Sequence, residues 1–140
     1  PMKFEAGTLD LAGIVGFKAA IDFISSIGIE AIHEHDVELH KYVVSKLDKL
    51  NNVVIYNKDS NGATLVFNIK DVFAQDEATL LNFKGIAVRS GEHCAKLLDN
   101  YLGRKDTCRM STYLYTSKEE IDAFVDALEN GGDILDAYFN

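Results

Sequence analysis

The sequence predicts an α+β domain in which a small, antiparallel-rich sheet carries helices on one face. Apolar residues recur at helical spacing in five segments, and shorter segments with alternating apolar and polar residues are typical of strands. Two of these strands, joined by a polar loop, predict an antiparallel hairpin. Antiparallel neighbours with helices packed on one side make a two-layer domain. We expect the order helix, helix, strand, strand, helix, strand, helix, strand, helix.

Length and composition indicate one globular domain. The chain has 140 residues, of which 47% are hydrophobic and 26% charged, and it contains no internal linker or repeat. The net charge is −8 and no basic stripe is present, which argues against nucleic-acid binding. No apolar run approaches the ~18 residues of a membrane span. Two cysteines without a CxxC pair suggest a reducing, cytoplasmic setting.

Two helices are predicted in the first third of the chain. Residues 9–27 have an apolar face and a second face of small residues, with Thr8 as the N-cap and Gly28 as the end. The helix that follows carries three histidines, His33, His35 and His40. Helical geometry holds these side chains too far apart for one metal ion, so we expect a solvated face and no metal site.

Turn and cap residues bound the remaining elements. Strands are predicted at residues 53–56, 64–69, 86–89 and 107–115. Helices are predicted at residues 73–83 and 95–102, and a last helix opens at a capping box of Ser117 and Glu120 and stops at Gly131. Residues 133–140 form a short, partly aromatic tail.

Residues 85–94 hold the candidate nucleophile. A short strand runs through Arg89 and a Ser-Gly turn to Cys94, which lies directly before a predicted helix. Unpaired N–H groups at a helix start, with positive charge from Arg89 and His93, favour the thiolate, which is the nucleophilic form. The alternative is that Cys94 is a small, buried and inert residue.

Arg109 is the candidate anchor for an anion. It lies in the middle of a predicted strand, on the polar face opposite Cys108 and Met110. A guanidinium can bind a carboxylate with two hydrogen bonds, which fixes its orientation as well as its charge. Arg89 would support the loop and neutralise a thiolate. The alternative for either arginine is a surface or interface salt bridge.

Three segments resemble the SufS-type cysteine desulfurases, which are pyridoxal-phosphate (PLP) enzymes of the class V aminotransferase family. They are residues 3–8, Lys-Phe-Glu-Ala-Gly-Thr; residues 85–95, with Arg-Ser-Gly-Glu-His-Cys at their centre; and residues 108–122, which begin Cys-Arg-Met-Ser-Thr-Tyr. The resemblance runs from about residue 3 to residue 128. Three departures are local: Lys3 replaces arginine, Glu92 replaces a histidine, and Lys96-Leu97 replace a polar residue and a proline.

The resemblance implies the small C-terminal domain of a fold-type I PLP enzyme. Residues 1–140 would form this domain, with residues 1–27 as the connecting segment and helix. The N-terminal domain that carries PLP and its Schiff-base lysine would be absent from this chain. The chain alone is therefore expected to be inactive.

The same resemblance implies roles for individual residues. Cys94 would take sulfur from L-cysteine as a persulfide and leave L-alanine. Arg109, Arg89 and His93 would bind the substrate. Gly7 and Thr8 would contact the phosphate of PLP held by the other subunit of a homodimer, in keeping with the ability of helix N-termini to bind anions. No metal is implied.

The implied partner is a sulfur-acceptor protein of the SufE or SufU kind, and the implied pathway is iron–sulfur cluster assembly or another sulfur transfer. Two other functions remain open. The chain could belong to another class V aminotransferase relative, such as a selenocysteine lyase. It could also be a non-enzymatic persulfide carrier or interaction domain.

Overall fold

A computed structural model describes residues 2–130, in two units that divide between His33 and Glu34. The first unit contains a short 3₁₀ turn, Met2–Phe4, and helix α1, Leu11–Ile27. The prediction that Thr8 caps this helix is wrong, because the Asp10 carboxylate accepts a hydrogen bond from the Gly13 N–H at 3.0 Å. The predicted stop at Gly28 is confirmed: Gly28 has a φ of 96° and donates to Ile24 O at 3.0 Å.

The second unit holds the sheet and the remaining helices. Helix α2 begins before the division and enters this unit. The bounds are α2 Ile29–Leu47, β1 Val53–Ile55, β2 Thr64–Ile69, α3 Ala74–Phe83, β3 Arg89–Gly91, α4 Lys96–Leu102, β4 Thr107–Ser111 and α5 Lys118–Asn130. The order of elements is the one predicted from the sequence. The predicted stop of the last helix at Gly131 and the predicted tail, residues 133–140, lie outside the described residues.

The four strands form one antiparallel sheet in the order β1-β2-β4-β3. In β2 and β4, Leu65 lies opposite Met110 and Phe67 opposite Cys108. Residues directly opposite each other share a face, and all four are buried in one cluster with residues of α2, α3 and α5. Helices α2, α3 and α5 therefore cover that face, which confirms the predicted α+β two-layer fold.

Side-chain caps explain where α3 and α5 begin. The predicted capping box is present, since Glu120 Oε2 accepts from the Ser117 N–H at 2.8 Å and Ser117 Oγ accepts from the Glu120 N–H at 3.2 Å. The start of α3 is capped from a distance: Asp106 Oδ2 accepts from the Ala74 N–H at 2.9 Å. The sequence did not reveal this contact, because the two residues are far apart in the chain.

Two strand predictions need correction. The third strand is Arg89–Gly91 rather than residues 86–89, and β4 ends at Ser111 rather than residue 115. The Ile86 N–H donates instead to Leu81 O at 2.9 Å, which closes the end of α3. Beyond Ser111, the Thr112 N–H still bonds to Ala63 O, but β2 offers no further partners.

The predicted solvated histidine face is only partly correct. His33 is exposed, but His40 is buried and its Nε2 lies 3.1 Å from Asn57 O. The half-buried His35 has its Nε2 3.1 Å from Thr116 O. These contacts join α2 to loops of the second unit. Within residues 2–130, no three His, Cys, Asp or Glu side chains are grouped as metal ligands would be.

No single helix among the described residues is long and apolar enough to cross a membrane. Only α1 and α2 taken together reach the necessary length and composition, and they are two helices bent at a break.

A buried carboxyl lies in the core of the second unit. Glu77 of α3 is fully buried, and its Oε2 accepts from the Ile69 N–H at 3.0 Å, just past the last β2–β4 pair. Its Oε1 is buried without a hydrogen-bond partner among the described residues. Burial raises the pKa of Glu77 to about 7, although the Ile69 N–H and the Arg104 charge oppose the shift.

We predict that Glu77 makes the stability of the fold depend on pH. Because its pKa rises from 4.5 in the unfolded chain to about 7 in the fold, protonated Glu77 stabilises the protein below pH 4.5. This stability is lost as the pH rises from 4.5 through 7, by about 3 kcal/mol in total. Urea denaturation of the wild type and Glu77→Gln at pH 5 and pH 8 measures the difference.

The glutamine keeps an acceptor for the Ile69 N–H but cannot ionise, so its free energy of unfolding should change less between the two pH values. Glu92→Gln, at an exposed position, serves as the control. Equal pH dependence in the wild type and Glu77→Gln would contradict this account.

Candidate active site

The two candidate arginines lie directly opposite each other on adjacent strands. In the pairing of β3 with β4, Arg89 faces Arg109, Ser90 faces Cys108 and Gly91 faces Thr107. Since Cys108 and Met110 point into the core, the half-buried Arg109 between them points to the other face of the sheet, as predicted. Arg89 shares that face. A hydrogen bond from Ser90 Oγ to Gln75 Oε1, at 3.0 Å, holds β3 against α3.

Within the described part of the chain, this arginine pair has no neutralising group. Like charges directly opposite each other destabilise a sheet. Neither guanidinium has an ion pair with a carboxylate among residues 2–130, and Arg109 Nε is buried without a hydrogen-bond partner there. A buried donor without a partner costs about 1–3 kcal/mol. A bound anion would remove the repulsion, so the pair is suited to a carboxylate.

A tight turn follows β3 and carries the thiol. The Ala95 N–H donates to Glu92 O at 2.9 Å, and the two residues between them, His93 and Cys94, have φ values of 52° and 58°. Residues other than glycine rarely adopt this left-handed conformation, which costs roughly 1–2 kcal/mol per residue. Such strain persists only where surrounding contacts hold it, and it is concentrated at functional sites.

The prediction that Cys94 lies immediately before a helix is wrong by one residue. Helix α4 begins at Lys96, and Ala95 separates it from Cys94. Because the Ala95 N–H is used to close the turn, Cys94 belongs to the turn rather than to the start of the helix.

The imidazole of His93 is fixed against β4. Its Nε2 lies 3.0 Å from Thr107 O, and because a carbonyl can only accept, Nε2 must carry the proton. Burial lowers the pKa of His93, and the positive charges of Arg109 and Arg89 lower it further, whereas the bond to Thr107 opposes the shift. A neutral ring is therefore favoured, with a lone pair on Nδ1. That atom is buried and has no partner among the described residues.

The two cysteines differ in access. Cys94 is exposed, whereas Cys108 is completely buried and its thiol lies 3.2 Å from Ala74 O. Burial raises the pKa of Cys108 strongly, and the charges of Glu77 and Asp106 add to the effect. Only Cys94 of the two can meet a ligand as an available nucleophile.

The predicted cofactor residues belong to the first unit. Gly7 has a φ of 127°, a conformation for which glycine is needed, and a Cβ there would meet no atom within 4 Å. Thr8 is exposed and, since Asp10 caps α1, its hydroxyl is not used as the cap. An open backbone beside a free hydroxyl fits a phosphate contact, so these two residues are compatible with the role implied for them.

A cavity of about 560 Å³ lies elsewhere on the second unit, between α5 and the segment that connects α3 to β3. It contains none of the sequence-predicted site residues. Its lining supplies no cysteine or arginine, so the candidate chemistry stays with the arginine pair and the turn.

Comparisons with known proteins identify the family of this chain. The family model for aminotransferase class-V matches residues 1–124. A probable cysteine desulfurase of Halalkalibacterium halodurans is 44% identical over 129 residues, which cover 92% of this chain and 32% of that protein. A cysteine desulfurase of Haloferax volcanii is 39% identical over 131 residues, which cover 92% of this chain and 31% of that protein.

Solved structures give the same result. The apo structure of a cysteine desulfurase from Thermococcus onnurineus superposes with a TM-score of 0.87 at 34% identity, covering 93% of this chain and 33% of that one. The cysteine desulfurase CsdA of Escherichia coli, solved as an S-sulfonic acid, also superposes with a TM-score of 0.87. The identity is 31%, and the match covers 94% of this chain and 33% of that one.

The fold is thus the one found in the cysteine desulfurases to which the chain is similar. The chain belongs to the class V aminotransferase family. It spans about a third of the length of the curated relatives it matches.

We predict that Cys94 is alkylated before Cys108 in the folded protein. Iodoacetamide at neutral pH should modify the exposed thiol of Cys94, because burial keeps Cys108 out of reach. Peptide mass spectrometry locates the label, and denatured protein, in which both thiols react, provides the control. Preferential labelling of Cys108 without denaturant would show that the assignment of the nucleophile is wrong.

Proposed function

We propose that this chain is the C-terminal part of a PLP-dependent cysteine desulfurase of the SufS type. The enzyme would convert L-cysteine to L-alanine and hold the sulfur as a persulfide on Cys94. The observation that carries the proposal is an exposed thiol on a strained turn that follows an arginine pair, for which residues 2–130 supply no counter-ion in the structure. The relatives named as cysteine desulfurases support it.

The arginine pair would bind the carboxylate of the substrate. Arg109 is half-buried, which holds its guanidinium in a fixed position from which the terminal nitrogens, rather than the buried Nε, can donate to the carboxylate oxygens. Arg89 is exposed and directly opposite, and it adds charge that neutralises the carboxylate or a persulfide. A bound carboxylate would therefore lower the repulsion between the two strands.

Cys94 would receive the sulfur. Its thiolate attacks the sulfur atom of the substrate, a new S–S bond forms at Cys94 Sγ, and the carbon–sulfur bond breaks. Bound PLP supplies the electron sink for that cleavage. The resemblance implies that His93 binds the substrate, but its Nε2 bonds to Thr107 and its Nδ1 is buried, so neither ring nitrogen is open to a ligand.

The cofactor would be held mainly by a separate N-terminal domain that carries the Schiff-base lysine. Residues 1–27 would connect that domain to this one, and Gly7 and Thr8 would contact the phosphate of PLP bound by the other subunit of a homodimer. The exposed apolar side chains of α1 support a role in assembly, since α1 contains no buried residue. Without the lysine domain, this chain alone is not expected to break the carbon–sulfur bond.

The persulfide would pass to an acceptor protein of the SufE or SufU kind, for iron–sulfur cluster assembly in the cytoplasm. The exposure of Cys94 supports transfer to a thiol of a second protein. The two free cysteines are compatible with a reducing compartment.

The test is a kinetic assay of the full-length enzyme that contains this chain. Cys94→Ser should abolish alanine and sulfide formation from L-cysteine. Arg109→Lys should raise the KM for L-cysteine by about 10–100-fold, because a lysine keeps the charge but loses the two-pronged contact with the carboxylate.

Arg104→Lys is the matched control, since Arg104 contacts Val72 O and Asp106 rather than the site, and its KM should match that of the wild type. Full turnover in Cys94→Ser, or an unchanged KM in Arg109→Lys, would contradict the proposed function.

A further inference from the structure

We infer that His93 is a positioning residue that holds Cys94 in place through the backbone of β4. The inference rests on the proposed function, because it concerns the placement of the thiol that would accept sulfur. It goes beyond that function by assigning the imidazole to the strained turn rather than to the substrate.

The contacts of the turn point to His93. Residues 92–95 are held by one backbone bond of their own, from the Ala95 N–H to Glu92 O. The bond from His93 Nε2 to Thr107 O is the one side-chain hydrogen bond that these four residues make within the described part of the chain. Because both His93 and Cys94 are left-handed, the turn needs an outside contact to keep it from relaxing.

The anchor point fixes the thiol relative to the arginine pair. Thr107 begins β4, pairs with Gly91 of β3 and lies two residues before Arg109. Strand β4 therefore carries Arg109, whose side chain would bind the carboxylate, and its Thr107 carbonyl holds the turn that contains Cys94. Sulfur transfer depends on the distance between the thiol of Cys94 and the substrate bound at Arg109, since a small misplacement of a reacting atom greatly lowers the rate.

The alternative role for a histidine beside a nucleophile is proton transfer. The buried Nδ1 argues against it, because a proton carrier must reach the group that it serves. Substitutions of His93 can distinguish the positioning role from proton transfer. The amide nitrogen of a glutamine can replace the Nε2–H donor to Thr107 but cannot accept and release a proton. An asparagine tolerates the left-handed conformation but is too short to reach Thr107.

The experiment compares His93→Gln, His93→Asn and His93→Ala in the full-length enzyme. We expect His93→Gln to keep kcat within about threefold of the wild type. In His93→Asn and His93→Ala, kcat should fall about tenfold, which corresponds to the free energy of one hydrogen bond. The KM for L-cysteine should stay unchanged in all three, because Arg109 remains in place.

A second measurement needs neither PLP nor substrate. Hydrogen exchange of the Ala95 amide, which closes the turn, should be about tenfold faster in His93→Asn and His93→Ala and near the wild-type rate in His93→Gln. Melting of each variant confirms that it is folded.

Two results would overturn the inference: a His93→Gln enzyme as slow as His93→Ala, which identifies a proton carrier, or a His93→Ala enzyme with wild-type kcat and exchange. A wild-type enzyme that forms no alanine would refute the proposed function instead. In that case the exchange rates alone would still decide whether His93 holds the turn.

Discussion

The structure depends on the alternation of side chains along β4. Cys108 and Met110 point into the core, and this burial forces Arg109 to the opposite face, where it meets Arg89 of β3. A shift of β4 by one residue would bury Arg109 and expose Cys108 and Met110. The loss of apolar burial makes this shifted register unfavourable. The observed register places Thr107 where it can hold the turn of Cys94. Packing on one face thus determines the chemistry on the other.

The site combines features that are unfavourable in isolation. Two guanidiniums face each other with no counter-ion among the described residues, and two successive residues adopt a left-handed conformation. The sheet and its helices supply the stability that maintains these features. A ligand with a negative charge would relieve the repulsion, and this relief would contribute to its binding. This is the physical link between the fold and the proposed activity.

Sequence patterns predicted what depends on neighbouring residues. Gly28, the capping box of Ser117 and Glu120, and the two faces of β4 were read correctly because each signal lies within a few positions of the element it controls. Contacts between distant residues were missed. Asp106 caps α3 from 32 positions away, and the position of β3 follows from pairing with β4 rather than from its own apolar run. The chemistry of Arg109 and Cys94 makes them candidates from the sequence, whereas the contact of His93 with Thr107 joins residues 14 positions apart and no local pattern predicts it.

The central claim is that the geometry of β3 and β4 makes Cys94 the sulfur acceptor. Its most direct test is mass spectrometry of the full-length enzyme after a single addition of L-cysteine without reductant. The account predicts a mass increase of one sulfur atom on the peptide that contains Cys94, and its loss on addition of dithiothreitol. Sulfur found on Cys108, or alanine formed with no sulfur on Cys94, would contradict it.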